Sequence, residues 1–573
     1  MDDQLVLDLS AQREYPAPFV RNSEWLYVLD QTSSGSYTSG QSILETSSLS
    51  NSNKWLNWTS AYLAVPSRIR VTSTSGTTVG ALAVSQFMAG IKNGFHNAIN
   101  SCQVEINGVT VQQATQLSNL VWGYRLMTSL SYNDVLKFGS VIGFWPDSSN
   151  SWTYTAAGSV TGIGYANNTD GGAVDVSSTT AGTAGIGLNE GFLKRQMWLS
   201  YATTDTATPA VAVASHAHAA TNTQLAQVFK SYCTASAGDV SAGPVLTLAG
   251  EVMYNFMAII RLKDICPLFE QLGLCKGLLV RLTMTLNQPT FSISKAAGPP
   301  VAWTVSTAVS FPYGGQSNPV MIASAAASNG SNGVSTGTTF AVDYRVGTTP
   351  FSSTTVASGS TANTGAFGQT NIRLWVQSCI LAPEQEAELL AQPVRSLKYN
   401  DIYEMDFAVA NGATANQLLF NSVPRCRRLI MIPQASDTDQ GITSPFDSAG
   451  GCTTLPMCGI TNFQVYLSGM PLFLTPTNYD YRVFLEQSVK TGVNYGLVDG
   501  ISSGLIGLDQ WQNNYRYYIM DLHQGLESED DVVKNIQVSF SSQSSTDQRW
   551  YCFVEYERQL ELNILSSAVI SFK

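Results

Sequence analysis

Runs in which apolar and polar side chains alternate, or β-branched residues gather, recur along most of the chain. They include Arg68–Thr72, Gln103–Val111, Glu251–Leu262, Leu278–Leu286, Asn371–Leu381, Arg427–Ile432, Phe463–Phe473, Ile536–Phe540 and Trp550–Ile564. A period of two, rich in β-branched and aromatic residues, predicts strands with one face buried. Turn pairs such as Asn107-Gly108 and Ser468-Gly469 separate or end these runs. Helical spacing is confined to three short stretches. In Gln112–Leu130, Leu117, Leu120, Val121, Tyr124 and Met127 lie towards one face. Asn478–Val489 has Asn478 as its expected N-cap. Pro383–Ala391 has Glu384, Glu386 and Glu388 favouring its start and stops before Pro393. The pattern predicts an all-β chain with few, short helices.

Two segments interrupt it. Residues 148–243 and 324–368 are rich in Ser, Thr, Gly, Ala and Asn and poor in charge. Stretches this long inside a folded chain are functional loops or lack structure of their own. In the first, Trp152, Tyr154, Phe192, Trp198 and Tyr201 point to projecting hairpins.

Composition narrows the function classes. The chain has 573 residues, enough for two to four domains. Only 12% of them are charged, and 23 Phe and 24 Tyr favour strands over helical bundles. The net charge is −11, the chain opens Met1-Asp2-Asp3, and its densest basic cluster is Arg425, Arg427 and Arg428. Electrostatic nucleic-acid binding needs a basic patch or arm, so direct genome binding is not expected. The nine cysteines are scattered, odd in number and without a C-x-x-C pair, which reads as buried thiols in a reducing compartment. No signal peptide and no membrane-spanning stretch is expected.

Three signatures occur twice in the same order. Val65-Pro66-Ser67-Arg68-Ile69-Arg70-Val71 matches Val423-Pro424-Arg425-Cys426-Arg427-Arg428-Leu429-Ile430. Gln103–Val109 matches Gln464–Met470, each a strand, a tight turn and another strand before a helix. Asp264-Ile265 with Lys276 and the next strand matches Asp521-Leu522 with Lys534 and its strand. The offsets are 358, 361 and 257 residues, so the first copy holds about 100 extra residues between its second and third signatures. Residues 148–243 lie there. Two copies of one β domain, spaced for eight-stranded jelly rolls, account for this pattern. The expected division is 1–295, with the large insertion, and 296–573, including the loop 324–368.

Several of these segments are familiar. Glu105-Ile-Asn-Gly-Val-Thr-Val before a helix, Ile260-Arg-Leu-Lys-Asp-Ile with Pro267-Leu-Phe, and Lys276-Gly-Leu-Leu-Val-Arg-Leu-Thr-Met-Thr-Leu-Asn are three. Tyr515-Arg-Tyr-Tyr-Ile-Met-Asp-Leu, the acidic turn Glu527–Asp531 and Phe553-Val-Glu-Tyr-Glu-Arg complete the set. Together they resemble the major capsid proteins of virophages and Polinton-like viruses, in patches from about Pro66 to Ile564. The resemblance implies a double jelly roll and a homotrimeric, pseudo-hexameric capsomer. It implies contacts with neighbouring capsomers and with penton and minor capsid proteins, around double-stranded DNA. The virion is the implied location, after synthesis in the host cytoplasm or a viral factory. The rival reading is a secreted or surface carbohydrate-binding or carbohydrate-active β-sandwich protein.

No residue is assigned a catalytic, cofactor or metal role. Gly333-Val-Ser335-Thr-Gly337 fits a nucleophile elbow in letters but lacks the strand–turn–helix context. His216-Ala-His218 is half a metal set; only His96 and His523 remain in the chain. Glu527, Glu529, Asp530 and Asp531 lack the spacing of a calcium loop and read as a solvated turn or a contact between capsomers. Arg425, Arg427 and Arg428 are either a solvated strand end or partners for such an acidic turn on a neighbour. Glu555 and Glu557 share a strand face as glycosidase acids do, yet outer-face charges look the same. Trp550, Tyr551, Phe553 and Tyr556 around them read as core or subunit contact.

Overall fold

The computed structural model describes residues 20–31, 35–50, 54–73, 87–147, 190–195, 245–248, 251–295, 303–324, 339–351, 370–391, 393–435, 441–445, 459–490, 503–523, 531–544, 547–566 and 568–572. Most of these are strands. The first half holds β1 (Val20–Leu29), β2 (Gln41–Glu45), β3 (Trp55–Ser73), β4 (Phe87–Ile91), β5 (Ile99–Ile106), β6 (Val109–Gln112), β7 (Val245–Leu248) and β8 (Glu251–Arg261). It continues with β9 (Leu274–Lys276), β10 (Val280–Leu286), β11 (Thr290–Lys295), β12 (Trp303–Ser310), β13 (Val320–Ser324), β14 (Thr339–Val346) and β15 (Arg373–Leu381). The second half holds β16 (Val394–Val409), β17 (Thr414–Val423), β18 (Cys426–Ala435), β19 (Ile460–Leu467), β20 (Met470–Pro471), β21 (Tyr518–Asp521), β22 (Lys534–Ser542), β23 (Gln548–Asn563) and β24 (Val569–Phe572).

In the second half, β16-β23-β18-β21 form one sheet and β17-β22-β19-β20 the other. Counted along the chain, the eight strands β16 to β23 pair in the orders 1-8-3-6 and 2-7-4-5, which is a jelly roll. The first half repeats it. The strands β1-β15-β3-β8 make one sheet and β2-β10-β5-β6 the other, in the same two orders. The remaining strands of the first half are additions: β7, β9, β11, β12 and β14 widen its first sheet, and β13 pairs with β4.

The three sequence signatures fall at equivalent places. Val65–Val71 lies on β3 and Cys426–Ile430 on β18, the third strand of each roll. The turns Asn107-Gly108 and Ser468-Gly469 join fourth to fifth strands, and all four residues have positive φ (54°, 82°, 50° and 84°). A two-residue hairpin with both central residues left-handed matches strand twist, which is why Gly stands second in both. Asp264 and Asp521 follow or end the sixth strand, ahead of β10 and β22.

Three expectations are corrected. The sheets do not change partners at residue 296, because β12, β14 and β15 join the sheet of β3. The change comes between β15 and β16, across the helix Pro383–Ala391. Alternation alone reads as strand in either copy, and only long-range register assigns it. The helix expected over Gln112–Leu130 spans Ser118–Ser129, and a second follows at Tyr132–Ile142. Ser131 caps that second helix in a reciprocal pair with Asp134. The helix near 478 starts at Tyr481, and Asp480 rather than Asn478 caps it, its Oδ1 accepting from Val483 N at 2.9 Å.

Two cores result, but the chain does not divide cleanly between them. Leu397, Tyr399, Leu560, Leu562 and Ile564 of the second half pack in the first core. Leu120, Val121, Tyr124, Met127 and Val135, on the helices of the first half, pack in the second. The pair β16–β23 stays in register from Val394↔Asn563 to Val409↔Gln548, so one ladder runs through both cores. Removing the fully buried Leu562 by Leu562→Ala is expected to cost about 2–5 kcal/mol. Urea unfolding followed by tryptophan fluorescence and by circular dichroism should show one shared transition that shifts as a whole.

Candidate assembly surfaces and the inter-sandwich junction

Glu555 and Glu557 stand two apart on β23 and so share a face. The helix Ser118–Ser129 covers it at Glu555, which is fully buried. Glu555 Oε1 accepts from Arg125 Nε at 3.0 Å, and its Oε2 accepts from Arg428 Nε of β18. Burial alone would push this carboxyl up, but the Arg428 and Arg125 guanidiniums outweigh it and hold the carboxyl below its ordinary value. Glu557 accepts from Arg427 Nη2 at 2.7 Å and lies 3.6 Å from Lys398 Nζ. A glycosidase acid needs a raised pKa and an open approach. Glu555 has neither: it is a link between one half's helix and the other half's sheet.

More polar contacts fasten the same junction. Thr115 Oγ1 donates to Ile402 O at 2.9 Å, and the Tyr399 hydroxyl donates to Val111 O. Lys276 N donates to Ile564 O, and Asn318 N to Ile442 O, at 2.8 and 2.9 Å. Asp147, just before the long insertion, accepts from buried Arg195, and its carbonyl accepts from Gln510 Nε2 at 2.8 Å. A cleft of about 840 Å³ opens beside the junction, lined among others by Asp134, Arg261, Lys263, Lys398, Arg427 and Asp521. Lysines and arginines outnumber the acids around it.

The arginine cluster is spent within the chain. Arg425 Nε donates to Asp531 Oδ1 at 2.5 Å, and Arg427 Nη1 lies 2.5 Å from His523 Nδ1. Arg425 thus meets an acid of that turn in its own chain, while Arg427 and Arg428 pair with Glu557 and Glu555 of β23. Glu527, Glu529, Asp530, His216, His218 and Ser335 lie outside the described residues. His96 is not brought near His523; it is buried in a tight turn, and desolvation lowers its pKa to about 3, so it stays neutral. Trp550, Phe553 and Tyr556 are core. Cys102, Cys266, Cys275, Cys379, Cys426 and Cys552 are buried. Among the described residues, no three of His, Cys, Asp and Glu cluster as a metal set, and no helix is long and apolar enough to cross a membrane.

The exposed apolar surface is where chemistry remains available. On β1, Trp25 and Tyr27 are 45% and 47% exposed, with Leu29 beside them. Trp25 packs edge-on against Tyr62 at 5.4 Å, Tyr27 against Trp375 at 4.9 Å, and Tyr62 stacks with Trp375 at 6.3 Å. Arg373 lies 4.7 Å from the Tyr27 ring. This four-ring platform spans β1, β15 and β3, and β1 pairs only with β15 among the described residues. An exposed aromatic face beside a strand edge left unpaired among the described residues is the kind of surface that favours contact with another. A second group, Met470, Val532 and Val533, is exposed near the ends of β20 and β22. Sequence reasoning missed both, because Trp25-x-Tyr27-x-Leu29 alternates whether its rings face inward or outward.

Fold and surfaces define a double jelly roll whose described polar clusters are structural. One solved structure shares this fold. The chain is similar to a chain of the Sputnik virophage, solved by cryo-EM, with a TM-score of 0.52 and 12% identity, over 99% of this chain and 91% of that one. It also aligns with the mavirus major capsid protein, at TM-score 0.47, 9% identity and coverage of 99% and 92%. The Faustovirus major capsid protein aligns at TM-score 0.43, 8% identity and coverage of 96% and 92%. No family model and no curated protein matches the chain.

Glu555→Gln leaves two guanidiniums facing a neutral group and is expected to lose about 3 kcal/mol or more at neutral pH. Because the folded-state pKa is depressed, this stabilisation is present above the ordinary glutamate value of 4.5 and fades as pH falls through the lower folded value. Urea melts of both proteins should therefore differ most at neutral pH and converge in acid; a gap independent of pH contradicts the assignment.

Proposed function

We propose that the chain is the major capsid protein of a double-stranded DNA virus and builds shells from homotrimeric capsomers. The observation that carries this is the duplicated jelly roll with both copies locked into one two-lobed block. Three such blocks around a threefold axis present six similar lobes, which tile a hexagonal lattice. The proposed domains are 20–381, a jelly roll with insertions at 148–243 and 287–372, and 394–572, a plainer one. The expectation that the insertion 148–243 forms much of an outward tower and of the trimer contact falls on residues that, apart from 190–195, lie outside the described residues.

The trimer contact is heterologous: a patch on one lobe meets a different patch on the next chain, and the rotation closes at three. The aromatic platform Trp25, Tyr27, Tyr62 and Trp375 fits one half of such a contact, and Met470 with Val532 and Val533 fits the other. Obligate interfaces of this kind are aromatic-rich and apolar at their centre. Penton and minor capsid proteins, neighbouring capsomers and a place in the virion follow from the same reading. The sugar-binding alternative shares the exposed rings, and monomeric behaviour with tight glycan binding would favour it.

Light scattering on the purified chain should give a species near three times 61.7 kDa. The double substitution Trp25→Glu and Tyr27→Glu alters exposed positions, so its unfolding midpoint should move little while the trimer gives way to monomer. A trimer untouched by both changes places the contact elsewhere on the surface.

A further inference from the structure

A charged cluster at the far end of the first sheet serves neither the junction nor the exposed faces. The register sets Arg68 and Arg70 of β3 opposite Arg345 and Asp343 of β14, and opposite Asn255 and Met253 of β8 on the other side. Cross-strand partners share a face, so three guanidiniums and one carboxylate meet on it. Arg68 and Arg70 are each 4% exposed, and Arg345 and Asp343 are fully buried. Phe351 lies across the cluster, 4.6 Å from the Arg68 guanidinium and 4.3 Å from that of Arg70.

The charges do not balance. Asp343 accepts from Arg70 Nη2 at 2.8 Å and from Arg345 Nη2 at 3.2 Å. Arg345 also donates to the carbonyls of Gln288, Pro289 and Pro350. Among the described residues, Arg68 donates from Nη2 to Thr349 O at 2.6 Å, and its buried Nε meets no acceptor. The buried Oδ1 of Asn255, its register partner, also meets none. Burial, with Arg345 and Arg70 nearby, lowers the Arg68 pKa to about 10, which leaves it cationic at neutral pH.

Among the described residues, the chain around the cluster brings no second acid. There is none between Glu45 and Glu105, and only Asp343 between Glu270 and Glu384. Glu251 of β8 pairs with Thr72, four residues and about 13 Å along the strand from Arg68. A buried cation without a counter-charge is strongly disfavoured.

We propose that this cluster is a binding site for a small oxyanion, of the phosphate or carboxylate class, held chiefly by Arg68 with Asn255 beside it. Guanidinium donors match the planar spacing of oxyanion acceptors. The Asn255 amide, turned over, offers an N–H donor to the same ligand. The anion neutralises the excess and pins β3, β8 and β14 where the added strands leave the jelly roll.

The test is calorimetric titration of inorganic phosphate, in chloride buffer of constant ionic strength, into the isolated chain, into assembled particles and into Arg68→Met and Arg68→Lys. Saturable binding at one site per chain is expected, weakened at least tenfold in Arg68→Met and less in Arg68→Lys. In chloride alone, Arg68→Met should melt no lower than wild type, since it removes an unpaired buried charge. Binding kept in particles assigns a free anion; binding lost on assembly assigns a carboxylate of a neighbouring copy, and both support the site. No phosphate binding in any form, or binding unchanged in Arg68→Met (an adventitious ion only), overturns it.

Discussion

The pairing of β16 with β23 is the constraint on which the rest of the molecule depends. Each strand is 16 residues long, well beyond the usual strand length, and the two stay in register throughout. One end of this ladder closes the second jelly roll; the other lays Leu397, Tyr399, Leu560 and Leu562 on the core of the first. The helix Ser118–Ser129 makes the reverse crossing, and Arg125 meets Glu555 where the two crossings approach. A two-lobed block linked in both directions resists hinge motion between its lobes. That fixed angle is what the proposed pseudo-sixfold capsomer requires.

Within this frame the jelly roll tolerates addition. Its sheets depend on alternating residues facing a shared core, and the connections at its ends are free to vary. The first copy accepts five extra strands in one sheet and a further two-stranded pair without losing the order 1-8-3-6 and 2-7-4-5. Among the described residues, the second copy stays close to the bare eight, adding only β24. The buried arginines at the end of β3 lie among these additions, which is where a sheet extended past its core has to settle charges that the parent fold never met.

Period-two alternation and the Asn107-Gly108 and Ser468-Gly469 turns made the strands and both hairpins legible, and the shared order of three signatures made the duplication legible. The boundary near residue 296 was not. β14 and β15 read as ordinary strands, and their pairing with β3 is a contact across more than 200 residues that local pattern does not encode. The same limit hid the role of Glu555. Its neighbours Arg125 and Arg428 are 430 and 127 residues away in sequence. The outward aromatic platform was invisible for a different reason: burial direction is set by which face meets a core, and Trp25 and Tyr27 carry no sign of it. What could be read, in short, was local geometry; what could not was partner choice.

Electron cryo-microscopy of the purified chain, with no other viral component present, tests the central claim most directly. The account predicts threefold particles with six lobes in projection, each chain supplying two, free or laid in hexagonal sheets. Monodisperse two-lobed monomers at every concentration would contradict it, leaving a double jelly roll whose work is done as a single chain.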